Sequence, residues 1–232
     1  MLRRKIARLN AVRPPMPWHK SRTKKSDSHK ETVILIHGLW RSVWAMEPMA
    51  KHLYTEGYNT VNIAYPSFTK PMDYILEMIE AEVSHYLEKG TVHLVTHSLG
   101  GIITREMLPN LPHDKLGRIV MLAPPNQGSE IIDWLANYPI LKRTMGPVGQ
   151  QLGTGQITAP HLPENIDSAV IMGNSNLIPF FQKLLPTAND GIVSVERGKV
   201  EGMNEFHIID ADHTFIASDP RVMKMTLEFL KK

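Results

Sequence analysis

Six short apolar segments alternate with amphipathic helical patterns along most of this chain, and this alternation restricts the possible folds more than any other feature. The segments are TVILIH (32–37), TVNIAY (60–65), TVHLVTH (91–97), GRIVMLA (117–123), SAVIMG (168–173) and FHIIDA (206–211). Several are almost continuously apolar, which is typical of strands buried on both faces of a parallel sheet. Apolar residues at helical spacing lie among them, at 43–56, 72–89, 99–108 and 220–231. The pattern predicts an α/β fold: a three-layer α/β/α sandwich around a mostly parallel sheet of about six strands.

One stretch between the fourth and fifth segments interrupts the alternation. It spans about residues 125–167 and contains an apolar cluster, Ile131 to Leu141, followed by the Gly-rich GPVGQQLGTG. A structureless loop of this length is uncommon in a compact domain, so we expect a small helical cap inserted over one edge of the sheet. A length of 232 residues suits one domain, which we place at residues 31–232.

The first 30 residues differ from the rest in charge. They contain ten Lys or Arg residues and one acidic residue, Asp27, a net charge of +9. Because the whole chain carries +3, the remainder carries −6, and we expect no nucleic-acid partner. We interpret residues 1–30 as a basic N-terminal arm. Three roles stay open for it: a solvated arm or a brace against the domain, an organelle-targeting segment, or a weak contact with a membrane surface or a polyanion.

Several kinds of chemistry are not indicated by the sequence. The chain has no Cys, which excludes disulfides and thiolate catalysis. No His, Asp or Glu cluster has metal-ligand spacing, and neither G-x-G-x-x-G nor the phosphate-loop lysine motif occurs, so we expect no metal and no cofactor. No apolar run approaches the ~18 residues of a membrane span, and no apolar signal segment is present. We therefore expect a cytoplasmic protein, unless the basic arm is a targeting segment.

The residues that follow the strand-like segments are the candidates for function, because ligands of open parallel sheets bind beyond the carboxyl ends of the strands. Ser98 follows the third segment within THSLGG (96–101), between a predicted strand and a predicted helix. This is the context of a nucleophile elbow. Gly100 and Gly101 leave room for a tight turn. The alternative is that Ser98 is an ordinary helix N-cap.

A nucleophilic serine needs a base, and the base needs an acid to orient it. His213 follows the last segment, where a base could reach a nucleophile placed after the third. Asp190 lies between Ser98 and His213 in the chain, within the turn-forming NDGIV; a structural Asx turn is its alternative. The backbone N–H groups of Leu99 and of Leu39, in the HG motif after the first segment, are candidate oxyanion-hole donors.

Four further residues near these motifs have plausible roles. Trp40 and Phe180 are candidates for the substrate pocket, with core packing as the alternative for both. His37 and His97 lie beside the motif residues, and we expect their side chains to point away and to orient the loops or pack.

Four groups of residues, in chain order, resemble the α/β-hydrolase superfamily, and in particular its small lipase/esterase-like members. They are LIHGLWRS (35–42), THSLGG (96–101), PPNQGSE (124–130) with GPVGQQLGT (146–154), and NDGIVSVE (189–196) with DADHTFI (210–216). Over roughly residues 31–232 the chain is similar to single-domain bacterial lipases and to hydrolases related to GPI inositol-deacylase. The resemblance implies no cofactor and a small-molecule or lipid ester as substrate.

The resemblance also implies roles for particular residues. Ser98 would be the nucleophile, Asp190 the acid and His213 the base, with Leu39 and Leu99 as oxyanion donors. Thr96 stands where the motif usually has its first Gly. We expect Thr96 to be extended in the strand, with the close approach falling at Gly100.

We therefore expect a serine hydrolase that cleaves carboxylic esters through an acyl-enzyme. An acyltransferase or a thioesterase would use the same triad, and the sequence does not separate them. A third hypothesis is a non-catalytic binding module. The presence of Ser98, Asp190 and His213 together argues against it. Oligomeric state and acyl-chain length are not indicated by the sequence.

Overall fold

A seven-stranded sheet runs through the computed structural model, which describes residues 20–26, 31–185 and 187–232. The strands are β1 (Arg22–Lys24), β2 (Thr32–Ile36), β3 (Asn59–Ile63), β4 (Val92–His97), β5 (Leu116–Leu122), β6 (Ser168–Gly173) and β7 (Glu205–Ile209). Their spatial order is β1-β3-β2-β4-β5-β6-β7. Strands β2 to β7 are parallel, and β1 is antiparallel to β3. The predicted mostly parallel sheet is confirmed.

Helices connect most of these strands. They are α1 (Val43–Thr55), α2 (Met72–Leu87), α3 (Leu99–Met107), α4 (Glu130–Ala136), α5 (Pro139–Thr144), α6 (Gly146–Gly149), α7 (Pro179–Leu184) and α8 (Pro220–Leu230). Short 3₁₀ turns lie at Leu108–Asn110, His113–Lys115, Val195–Gly198 and Ile216–Ser218. The four helices predicted from apolar spacing correspond to α1, α2, α3 and α8.

Alternating side chains of the strands build two core layers. In β2, Val33 and Leu35 pack with residues of α1 and α8 on one face, whereas Ile34 and Ile36 pack with residues of α2 and α3 on the other. Successive residues of a strand point to opposite faces, so a strand whose every residue is apolar must be covered on both. All five residues of β2 are buried. Helices therefore cover both faces of the sheet, which gives the three-layer sandwich.

The register of the parallel strands aligns their carboxyl ends. Ile36 at the end of β2 pairs with Thr96 of β4, and His97 at the end of β4 pairs with Leu122 of β5. The loops that follow these strands therefore leave the sheet along one edge. This edge carries the candidate functional residues.

Strand β1 is the one strand that the apolar pattern did not predict. It pairs with β3 at the edge of the sheet, and Lys24 Nζ lies 2.8 Å from a carboxylate oxygen of Glu47. The Arg22 guanidinium lies 4.4 Å from the centre of the Trp44 ring. None of the three residues of this edge strand, RTK, is fully buried, so its sequence shows no alternation of apolar and polar residues. Residues 1–19 and 27–30 of the predicted arm lie outside the described residues, so the arm and its boundary stay predictions.

Three short helices, α4 to α6, occupy the stretch at about 125–167 that we expected to be a helical insertion. Arg105 of α3 ties this stretch to the domain. Its Nε donates to the Pro160 carbonyl at 2.8 Å, and its Nη1 donates to the Asn126 carbonyl at 2.9 Å. Burial lowers the pKa of Arg105 to about 10, so the guanidinium remains charged at neutral pH.

Candidate functional site

Ser98 is the single residue between the end of β4 and the start of α3. Its backbone has φ 52° and ψ −120°, a conformation that residues with a side chain rarely adopt. Such strain persists only where the surroundings hold it in place. The Ser98 N–H donates to the Leu122 carbonyl at 2.9 Å, which anchors the turn to β5. The Ser98 side chain makes no capping hydrogen bond to α3, so the N-cap alternative does not describe it.

Two glycines allow the chain to pass close to this turn. A Cβ on Gly100 would lie 2.5 Å from the Ile36 carbonyl oxygen, and a Cβ on Gly38 would lie 3.0 Å from Cβ of Ser98. Thr96, by contrast, is an ordinary buried residue of β4. A β-branched residue is accommodated two positions before Ser98 because the close approaches fall at Gly38 and Gly100.

Three side chains from three loops meet at the carboxyl edge of the sheet. Ser98 Oγ lies 3.0 Å from Nε2 of His213, and His213 Nδ1 lies 2.7 Å from Oδ2 of Asp190. The Asp190 side chain is fully buried. A carboxylate only accepts hydrogen bonds, so it selects the tautomer with the proton on Nδ1. Nε2 of His213 is then free to accept the hydroxyl proton of Ser98.

The second carboxylate oxygen of Asp190 is held by its own loop. Oδ1 accepts hydrogen bonds from the N–H groups of Ile192 at 3.0 Å and of Val193 at 2.8 Å. This Asx-type turn was raised as an alternative to a functional role, yet the geometry combines the two. One oxygen shapes the turn, and the other is left to face His213.

His97 positions the loop that carries His213. Its Nε2 donates to the His213 carbonyl at 2.9 Å, while the His213 N–H donates to the Asp190 carbonyl at 3.0 Å. Burial lowers the pKa of His97 well below its usual range, and the neighbouring His213 lowers it further, so His97 is neutral. The His37 ring stacks on Tyr65 with centroids 4.1 Å apart, and its Nδ1 lies 2.9 Å from the Gly38 carbonyl oxygen. The expected loop-orienting and packing roles are therefore observed, but the His97 side chain does not point away from the site: it borders the cavity beside Ser98.

The two predicted N–H donors flank the Ser98 turn. Leu99 follows Ser98 directly, and Leu39 follows Gly38, which packs against Ser98. Both groups lack a protein acceptor within the described parts of the chain.

A cavity of about 300 Å³ opens beside Ser98. Its apolar walls come from the loop after β2, from the insertion and from the Asp190 loop: Leu39, Trp40, Ile131, Ile132, Leu135, Leu152, Ile192 and Val193. Trp40 thus reaches the predicted pocket, and its indole N–H donates to the Thr144 carbonyl at 3.0 Å. This bond connects the loop after β2 to the end of α5.

Phe180 does not line this cavity, contrary to our expectation for the pocket. It lies on α7 with 53% of its surface exposed, and its ring centroid is 5.2 Å from that of Trp134. Trp134 occupies the outer side of α4, so Phe180 packs outside the cavity wall rather than on its inner surface.

Two residues near the cavity were not singled out from the sequence. Ser129 caps α4, and its Oγ also donates to the Ile192 carbonyl at 2.6 Å, which links the insertion to the Asp190 loop. Arg41 lines the cavity and donates from Nη2 to Thr214 Oγ1 at 2.9 Å, beside His213. The sequence contains a weak signal for Ser129, a capping residue before an apolar helix, but none for its contact with Ile192.

The part of the chain that the structure describes contains neither a metal-binding cluster nor a helix suited to cross a membrane. Residues 20–26, 31–185 and 187–232 contain no group of three or more His, Asp or Glu side chains arranged to hold a metal ion. None of the helices among these residues combines the length and the apolar character that a membrane crossing requires.

Comparison with known proteins adds information on family and fold. The model of the alpha/beta hydrolase family matches residues 33–175, more than half of the chain. No curated protein matches the sequence.

Among solved structures, the mature form of lipase BlEst2 from Bacillus licheniformis has a TM-score of 0.74 at 18% identity, covering 91% of this chain and 98% of that one. Phospholipase PlaB from Legionella pneumophila has a TM-score of 0.68 at 16% identity, covering 88% of this chain and only 60% of its own. A thermophilic esterase from Thermogutta terrifontis has a TM-score of 0.62 at 14% identity, covering 91% and 92%. At such identities the likeness shows the shared fold alone.

Proposed function

The chain belongs to the alpha/beta hydrolase family, and we propose that it is a serine hydrolase that cleaves carboxylic esters. One observation carries this proposal: Ser98 Oγ, the His213 imidazole and the Asp190 carboxylate form a hydrogen-bonded series beside a cavity. A serine hydroxyl becomes an effective nucleophile when an oriented base can remove its proton. The positive-φ turn at Ser98 supports its assignment as a nucleophile elbow.

In the proposed reaction, Ser98 Oγ attacks the ester carbonyl carbon while His213 Nε2 takes the hydroxyl proton. Asp190 stabilises the imidazolium that forms and keeps the ring in its orientation. The N–H groups of Leu39 and Leu99 donate to the oxyanion of the tetrahedral intermediate. The intermediate collapses, and His213 returns its proton to the leaving alcohol. Water, activated by the same imidazole, then attacks the acyl-enzyme and regenerates Ser98.

The insertion would select the acyl group. Ile131, Ile132 and Leu135 of α4 contribute an apolar wall to the cavity, together with the loop that carries Trp40. At about 300 Å³, the cavity lies at the lower end of the usual range for small-molecule sites. We therefore expect short or medium acyl chains to be preferred over long ones, and a panel of p-nitrophenyl esters of increasing chain length measures this preference.

The proposal is tested by replacing Ser98 with Ala. We expect hydrolysis of a short p-nitrophenyl ester to fall on the order of 10⁴-fold or more, and labelling by a fluorophosphonate probe to disappear. Ser84→Ala, on α2 away from the cavity, is the matched control and should keep both properties. Labelling and turnover that survive in Ser98→Ala would rule out the assignment.

A further inference from the structure

An exposed apolar surface lies outside the cavity and is built from two segments. The insertion contributes Tyr138 and Ile140, and the segment after β6 contributes Leu177, Ile178 and Phe180. Each of these side chains is at least 44% exposed, and Ile140 is 81% exposed. Single exposed apolar residues are ordinary, but a group of them in one region marks an interaction site. We call these five residues, together with Trp134, the rim patch.

Aromatic contacts join the two segments into one surface. The Trp134 ring centroid lies 4.9 Å from that of Tyr138, in the insertion, and 5.2 Å from that of Phe180, on α7. The next residue in the chain, Leu135, lines the cavity beside Ser98. The rim patch and the cavity wall therefore share helix α4, so an apolar molecule held on the patch lies next to the cavity.

The two segments that carry the exposed side chains of the rim patch contain cations, and their nearest acidic neighbour in the chain is Asp133, whose carboxylate accepts hydrogen bonds from Thr154. No acidic residue occurs between Asp133 and Glu164, or between Asp167 and Asp190. Lys142 and Arg143 on α5 and Lys183 on α7 are exposed. Within the described part of the chain, none of these three cations forms a salt bridge. A surface that combines apolar side chains with unpaired cations is typical of proteins that bind anionic membranes. The cations attract the lipid headgroups, and the apolar side chains enter the boundary of the acyl chains.

We propose that the rim patch docks this protein on a lipid surface with anionic headgroups. A second copy is a less favourable occupant, because a two-fold contact through this surface would bring Lys142, Arg143 and Lys183 against their own equivalents. The docking is independent of catalysis. Its purpose, delivery of a lipid ester from the surface to the cavity, rests on the proposed hydrolase function.

The charge contribution is tested on the chain of 232 residues carrying Ser98→Ala, so that no lipid is hydrolysed. Partition onto vesicles of phosphatidylglycerol and of phosphatidylcholine is measured by co-sedimentation, and we expect clear preference for the anionic vesicles. Lys142→Gln with Arg143→Gln should weaken this partition by about 30-fold, since each cation near an anionic membrane contributes roughly fivefold. The control, Lys89→Gln with Lys115→Gln, removes the same charge near the amino-terminal ends of β4 and β5. It should have little effect on partition.

The apolar contribution is tested with Ile140→Ser in the same background. We expect partition to fall by about tenfold or more, since an inserted Ile side chain is removed from water. Ile208→Ser, which replaces an exposed Ile on β7, is the control and should partition like the parent. The basic arm is present in every variant, so its contribution cancels.

Two results would overturn the docking proposal. One is that the parent, the Lys142→Gln/Arg143→Gln variant and the Ile140→Ser variant all partition equally onto the anionic vesicles. The other is a dimer, seen by analytical ultracentrifugation, that Ile140→Ser dissociates without changing vesicle binding. Failure of the hydrolase proposal would be seen separately, as soluble-ester turnover that Ser98→Ala does not reduce in otherwise native protein.

Discussion

The two oxygens of Asp190 have different partners, and this division explains how a turn-forming residue can also orient an imidazole. Oδ1 is occupied by the N–H groups of Ile192 and Val193, while Oδ2 faces Nδ1 of His213. The loop thus fixes the carboxylate before any ligand binds. His213 is in turn held through its own backbone, at its N–H by Asp190 and at its carbonyl by His97.

Asp190→Asn separates these two roles. The amide oxygen can still accept from Ile192 and Val193, so the turn should survive, but the amide NH₂ then faces Nδ1 and favours the tautomer with the proton on Nε2. We expect kcat for a p-nitrophenyl ester to fall on the order of 10⁴-fold, with little change in the melting temperature. A variant that retains more than a tenth of wild-type kcat would contradict the proposed role.

The buried, neutral His97 predicts a pH dependence of stability. Its pKa is lowered in the folded state, so the unfolded chain binds more protons in acid. The contribution of His97 to the free energy of unfolding is therefore fully present above the pKa of the unfolded chain, about 6.5. This contribution is lost as the pH falls below that value. Between pH 7.5 and pH 5.5 the loss should be on the order of 1 kcal/mol.

His97→Gln, which can still donate to the His213 carbonyl, should remove this contribution. Urea unfolding of both proteins at the two pH values measures it. An equal loss of stability in wild type and variant would show that His97 does not titrate as inferred.

At the scale of elements, the site depends on contacts between segments that are far apart in the chain. The insertion is joined to the Asp190 loop by Ser129 and to the loop after β2 through Trp40 and Thr144. The helices predicted from apolar spacing form the outer layers of the sandwich. Of the short helices α4 to α7, α4 lines the cavity, and the others pack around it outside its wall.

Ser129→Ala should disturb both the insertion and the Asp190 loop. The variant loses the cap of α4 and the hydrogen bond to the Ile192 carbonyl, at a cost of about 1–2 kcal/mol in the free energy of unfolding. Because the Ile192 N–H holds Oδ1 of Asp190, kcat should fall as well. Asp219→Ala removes the cap of α8, which does not line the cavity, and should lower stability with a smaller effect on kcat. An unaltered kcat in Ser129→Ala would show that the two loops are not coupled.

At the scale of the whole molecule, the parallel sheet gathers residues from positions 39 to 213 along one edge. Aligned strand ends bring the loops together, and one buried cation anchors the insertion. Arg105 donates to the carbonyls of Ala159 and Pro160 in the insertion and to Asn126 at its start. The Arg105 side chain is buried, so these hydrogen bonds contribute to how the insertion sits on the sheet.

Arg105→Gln should therefore loosen the insertion before it affects the sheet. We expect a loss of about 3 kcal/mol in the free energy of unfolding, as hydrogen bonds from a charged donor to buried carbonyls are removed. Hydrogen exchange should accelerate most in residues 150–162 and least in β4 and β5. Uniform acceleration across both regions would indicate that Arg105 supports the whole domain instead.

The sequence by itself determined the sandwich and the parallel direction of its central strands. It also determined that the candidate residues lie at the carboxyl ends of the strands. It could do so because apolar periodicity indicates which faces a strand or helix must bury, and because Leu39, Ser98 and His213 each come within a few residues of a strand end. Only the tertiary structure decided that β1 adds to the sheet edge, that Trp40 lines the cavity whereas Phe180 packs outside it, and that Ser129 and Arg105 hold the insertion. Those outcomes depend on contacts between loops distant in sequence, for which no local pattern of apolar or turn residues exists.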